Sequence, residues 1–230
     1  MPIGVITNSL AIALGGITGG LLGSRLSGEF REKLNLVFGV CAMGIGISSI
    51  VLMKNLPAVM LALILGTILG IICRLNDLFA RGGQKLASLF PLGGTADSGL
   101  LVTVIVLFCA SGTGIYGSIV SGMSGDHQIL LAKSVLDFFT AMIFACTLGK
   151  VVSVIAVPQF VIFMLLFFLA RVIYPLTTPT MIDDFKAVGG LVLLATGLRI
   201  ARVRDFPIAE MIPAMLIIWP ISRLWTLLMG

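Results

Sequence analysis

From Met1 to Ser24 the chain carries no charged side chain, and charge-free stretches return at Leu34–Met53, Asn55–Cys73 and Ser98–Gly125. A helix needs about 20 apolar residues to cross the hydrocarbon of a bilayer, so each run is long enough to do so. Composition agrees: 58% of the 230 residues are hydrophobic and only 11% are charged, against roughly 25% charged in ordinary soluble domains. There are too few polar side chains to cover a water-facing surface. Intrinsic disorder would need the opposite bias. The expected fold is all-α: a polytopic membrane bundle of about eight spans, with seven as the alternative, forming one integral domain over residues 1–230 and no separate soluble part.

The first run has its basic residues after it rather than before it, so it reads as a span and not as a secretory signal. Between Ile129 and Ala170 the apolar stretch is too long for one crossing and is interrupted by Gly149, Lys150 and Pro158, which suits two spans and a tight turn. The last two spans are expected at about Ala187–Leu198 and Phe206–Leu228, short or bearing Glu210 and Arg223. With eight spans, the odd connections hold Arg25, Arg31, Lys33, Arg74, Arg81, Lys85, Lys150, Arg199, Arg202 and Arg204. The opposite side holds Lys54, Arg171, Lys186 and Arg223. Cytoplasmic loops collect Lys and Arg, so the odd connections are expected in the cytoplasm and both termini in the periplasm.

Duplicated units are common in membrane transport folds. Leu10–Gly19, LAIALGGITG, matches Leu61–Gly70, LALILGTILG, without a gap. Cys41–Ile47, CAMGIGI, matches Cys109–Ile115, CASGTGI. The repeat units are then about 3–53 and 56–122, in parallel orientation, with the remaining spans over 129–228. The stretch RGGQKLASLFPLGGTADS, rich in Gly and Pro, reads as the longer loop in the second unit. A third copy in GGLVLLATGL would make the relation inverted.

Gly44 and Gly46 correspond in this alignment to Gly112 and Gly114. Paired Gly-interrupted spans suit discontinuous helices whose freed backbone groups can hold an ion or polar solute, and Ser111 and Thr113 add hydroxyls there. The alternative is close helix packing, which small residues also permit; Gly15, Gly19, Gly66 and Gly70 read that way. Lys133 and Asp137 lie four apart, on one helical face, and can pair. An ionisable side chain inside a span is costly and often functional. Asn8, between Thr7 and Ser9, is expected to face a pore or to bond another helix. The candidate solute or ion path is therefore Asn8, Gly44, Gly46, Ser111, Gly112, Thr113, Gly114, Lys133 and Asp137.

Cys41, Cys73, Cys109 and Cys146 form no CxxC pair, and His127 is the single histidine, so no metal site or disulfide framework is readable. His127 beside Asp126 lacks a nucleophile in the sequence. GTGIYG lies within an apolar run rather than opening a soluble helix, and no hydrolase, metalloprotease or nucleotide-binding motif occurs. The expectation is a non-enzyme without cofactors. Its partners are the bilayer and an unidentified small solute or ion; a homo-oligomer is compatible, and nucleic acid is not expected.

The segments LLVTVIVLFCASGTGIYGSIVSGMSGD and LLAKSVLDFFTAMIFACTLG, with PIGVITNSLAIALGG and GGLVLLATGLRI, resemble the YqgA-like family of bacterial inner-membrane proteins over nearly the whole chain. The resemblance implies a multi-pass inner-membrane location and gives no residue a role. From the Gly-interrupted spans, the expected activity is transport, by alternating access or gated passage around spans two and four. An assembly or interaction protein is the first alternative, and an intramembrane enzyme the second.

Overall fold

The structure is a computed structural model that describes residues 1–22, 27–89 and 98–229. Among them there is helix and no strand. The helices are α1 (Ile3–Leu22), α2 (Gly28–Ile50), α3 (Leu56–Ile72), α4 (Leu75–Ala87), α5 (Ser98–Cys109), α6 (Gly112–Ser124) and α7 (Gln128–Leu148). They are followed by α8 (Val151–Val154), α9 (Ala156–Ile173), α10 (Pro179–Ile200), α11 (Ile208–Met211) and α12 (Ala214–Met229). Six stretches are long and apolar enough to cross a membrane, or seven if α3 and α4 count as one broken span. The difference from eight lies in two elements. Helix α3 has only 17 residues, and α10 carries Asp183, Asp184, Lys186 and Arg199.

Local chemistry explains the boundaries. Asn55 precedes α3, with Pro57 in its first turn, and the Thr178 hydroxyl accepts from the Met181 amide where α10 begins at Pro179; proline suits a first turn because its missing N–H has no helical partner there. Pro158 has no N–H for the Val154 carbonyl, so the crossing from Val151 divides into α8 and α9. Pro213 does the same between α11 and α12. Gly125 and Gly149, at φ 71° and 76°, end α6 and α7 in conformations that glycine adopts cheaply. Part of the stretch expected to be a loop is helical: α4 is strongly amphipathic, setting Arg81 and Lys85 outward while Gly83 packs on Val102 and Val106. The rest of that stretch, residues 90–97, lies outside the described residues.

The chain divides into two compact units. The first comprises residues 1–35 and 77–171. Its centre is the pair α1 and α7, parallel and in contact along their length: Gly4 faces Leu130, Gly15 faces the Phe138 backbone, and Gly19 faces that of Met142. A side chain at Gly15 or Gly19 would collide with backbone, so here the glycines do serve packing. The apolar core runs from Ile12 through Leu101, Ile105 and Phe108 to Val152 and Ile155.

The second unit comprises residues 36–76 and 172–230. Helix α2 crosses α10 antiparallel, Gly39 against Gly197 and Ala201, Gly46 against Gly190 and Leu194. Helix α3 meets α11 and α12 antiparallel, Gly66 on Ala214 and Gly70 on Glu210. Phe185 stacks on Trp219 at 4.7 Å between ring centroids.

Candidate functional site

Three helices of the first unit bring five polar side chains together inside an otherwise apolar core. On α7, one turn separates Lys133 from Asp137, and the Lys133 ammonium lies 2.7 Å from each carboxylate oxygen. On α1, Asn8 donates through Nδ2 to Asp137 Oδ2 at 2.8 Å. On α9, Gln159 donates through Nε2 to Asn8 Oδ1 at 2.7 Å and accepts from the Ser9 hydroxyl at 2.6 Å. Asn8 and Gln159 are fully buried, and Lys133 and Asp137 are only 5% and 6% exposed. Asp137 lies nine residues into α7, roughly 13 Å along the helix at 1.5 Å per residue. Each member shields the next from the cost of an unpaired polar group in apolar surroundings.

The successive directions of a helix explain why only two of the three consecutive polar residues Thr7, Asn8 and Ser9 belong to the cluster. Asn8 and Ser9 turn inward, whereas Thr7 lines an outward groove of about 670 Å³ between α1 and α7, walled by Leu10, Leu14, Val135 and Phe139.

The fourth span breaks beside this cluster. Helix α5 ends at Cys109 and α6 begins at Gly112; Ser111 between them is extended, φ −71° and ψ 135°, and its hydroxyl accepts from the Gly114 amide. Helices α6 and α7 are antiparallel. Gly117 faces Leu130, and the Ser121 hydroxyl lies 2.6 Å from His127 Nδ1. One turn back, residues 113 and 114 come level with Lys133 and Ser134. Helix α9 runs parallel to α6, Gly114 against Phe163 and Gly122 against Phe167. Cys109 is near enough to Lys133 to interact with its charge. The break and the cluster thus share one level of the unit.

Of the candidate path residues, Asn8, Lys133 and Asp137 form the cluster, and Ser111, Gly112, Thr113 and Gly114 form the adjoining break. Gly44 and Gly46 require a correction: α2 is continuous through both. Nothing lies within 4 Å of a side chain built at Gly44, and Gly46 gives close contact with α10 in the second unit. Two glycines do not break a helix whose i to i−4 bonds stay intact; in α6 the extended, capping Ser111 starts a new helix instead. Gly44 therefore has no counterpart to the opening at Gly112.

Ser121 provides the hydroxyl partner that His127 lacked in the sequence, but it is buried and ties the end of α6 to the start of α7. Among the described residues no three His, Cys, Asp or Glu side chains come together as a metal site.

Reading by sequence missed Ser9, Gln159 and a second polar cluster, in the other unit. There Asp184, fully buried, accepts from the amides of Lys54 and Asn55 and from Asn55 Nδ2, each at 2.9 Å, and from the Ser222 hydroxyl at 2.6 Å. A signal existed. Asn8 and Asn55 are 47 residues apart, as are Asp137 and Asp184, and each Asp is followed by Phe.

A family described as "Protein of unknown function (DUF554)" matches residues 3–223. The chain belongs to this family. Within reach of the family are "Uncharacterized protein YqgA" of Escherichia coli (strain K12), 48% identical over 231 residues and 98% of each chain, and "Uncharacterized membrane protein YdfK" of Bacillus subtilis (strain 168). The latter is 28% identical over 220 residues, 93% of each chain. No solved structure matches. The apolar helices, together with a relative named as a membrane protein, support a membrane location.

Proposed function

We propose that this member of the family is a transporter or channel-like permeation protein of the bacterial inner membrane for a small solute or ion. One observation carries the reading: the unit that holds a buried Lys–Asp pair also holds a broken span, and the broken span packs on the helix that carries the pair. A bilayer core offers no water to backbone groups freed at such a break, so non-helical backbone there is tolerated where it is buried in protein or lines a pathway. An ionisable pair at that depth is costly and marks a path more often than a scaffold. The equal spacing of the two Asn–Asp pairs supports descent from a duplicated unit, as in many transport folds. The charge bias of the loops supports periplasmic termini.

An assembly role is the second reading. It is favoured by the hydrogen bonds that link Asn8, Ser9, Asp137 and Gln159, which suit a static clasp between α1, α7 and α9.

Flux separates the two. Purified protein in vesicles of phosphatidylethanolamine and phosphatidylglycerol should pass a small ion down an imposed gradient. Asp137→Asn should cut that flux at least tenfold per folded molecule. Absence of flux for sodium, potassium, protons, chloride, nitrate, formate and glycerol, by protein that is folded and inserted, would favour the clasp.

A further inference from the structure

We propose that the first turn of α6, together with Lys133, binds a small monovalent anion. This rests on the permeation reading and gives its substrate a sign.

Three donors lie in the first turn of α6, at the break. The first N–H groups of any helix lack intrahelical partners. In α6 the Ser111 cap takes the Gly114 amide and the Ser111 carbonyl takes that of Ile115, which leaves the amides of Gly112 and Thr113. Neither has a partner among the described residues, and both residues are buried. Thr113 is 7% exposed, and its hydroxyl also has no partner among the described residues. Because Cα–Cβ bonds in a helix tilt toward its N-terminus, the Thr113 side chain is aimed at the break. Buried donors without acceptors are rare and costly. A ligand that accepts hydrogen bonds would satisfy all three.

The sign follows from the neighbours. The end of α5 offers carbonyl oxygens to the same gap, which alone would suit a cation. Lys133, buried and level with Thr113, opposes a cation and adds an attractive charge for an anion, in addition to the positive end of α6. Asp137 balances the formal charge of Lys133, so the site suits one negative charge rather than two. Size follows from packing: Phe163 and Tyr116 are fully buried beside the turn, and a side chain at Gly114 would collide with the Phe163 ring. That confines the ligand to a few atoms, such as a halide, nitrate or formate.

The test uses the full chain in detergent, with sodium chloride, fluoride, nitrate or formate replacing sodium gluconate at constant ionic strength. At least one should raise the unfolding temperature saturably. Thr113→Val should weaken that ion's apparent affinity by threefold or more while leaving the unfolding temperature in gluconate unchanged, because the hydroxyl has no partner to lose among the described residues. Lys133→Gln should weaken it tenfold or more, and Asp137→Asn should strengthen it by removing the competing carboxylate. No saturable effect with any of the four salts, or equal affinity in Thr113→Val, would overturn the site. In a bilayer with a tenfold sodium salt gradient, a current should reverse toward the anion's equilibrium potential. Reversal toward that of sodium would overturn the anion while leaving permeation intact. Saturable binding without any current or exchange would keep the site and overturn permeation.

Discussion

The Lys133–Asp137 pair allows a sharp test of what holds the first unit together. Asp137→Asn preserves shape but removes the negative charge that faces a buried ammonium. One amide oxygen can accept from Lys133 or from Asn8, both of which now bond the carboxylate, but the new amide NH₂ must then face the other donor. Breaking a buried ion pair by removing one partner costs about 3–5 kcal/mol, and loss of the second hydrogen bond adds about 1 kcal/mol. A loss of about 4–6 kcal/mol is expected, and at about 2–4 °C per kcal/mol for a chain of this size the unfolding temperature should drop on the order of 10 °C. The double variant Lys133→Met with Asp137→Asn removes the stranded ammonium and keeps a neutral bond from Asn8. It should recover about 3 kcal/mol of the loss, because the penalty is the unpaired charge rather than the missing contact. Thermal unfolding of all four members of the cycle in one detergent measures this coupling. If Asp137→Asn melted within 1–2 °C of the parent protein, or if the double variant were less stable than Asp137→Asn alone, the ammonium would not depend on this carboxylate and the account of the cluster would fail.

In the second unit, Asp184→Ala should cost about 3–5 kcal/mol, since it leaves the amides of Lys54 and Asn55, Asn55 Nδ2 and the Ser222 hydroxyl without their acceptor; Ser222→Ala should cost about 1 kcal/mol, and both are read by thermal unfolding. Gly46→Leu should destabilise by several kcal/mol through collision with the α10 backbone, whereas Gly44→Ala, with open space around it, should be neutral or stabilising by up to about 1 kcal/mol. With native cysteines replaced, a reporter cysteine at Met229 should react with an impermeant maleimide from the periplasm, and one at Ser88 only after the inner membrane is opened; the reverse pattern would refute the charge-based orientation.

What was legible in the chain follows from the range of the physics involved. Spans are written in local runs of apolar residues, and a bilayer reads such runs directly. The Lys133–Asp137 pair was equally legible because it is local, four residues on one helix. Helix α10 was not: Asp183, Asp184 and Lys186 made its first turns look like loop, and what permits Asp184 to be buried is a set of donors from Lys54, Asn55 and Ser222, far away in sequence. Gln159 was overlooked for the same reason, since its meaning lies wholly in Asn8 and Ser9, some 150 positions earlier. Glycine misled because it is permissive in two senses. At Gly46 the missing side chain admits a neighbouring backbone, and at Gly112 the same residue type stands where a helix begins. Sequence shows the same letters in both places. The difference lies in Ser111, whose extended backbone and capping hydroxyl turn one span into two half-helices, and in the Lys133 that α7 brings level with their junction.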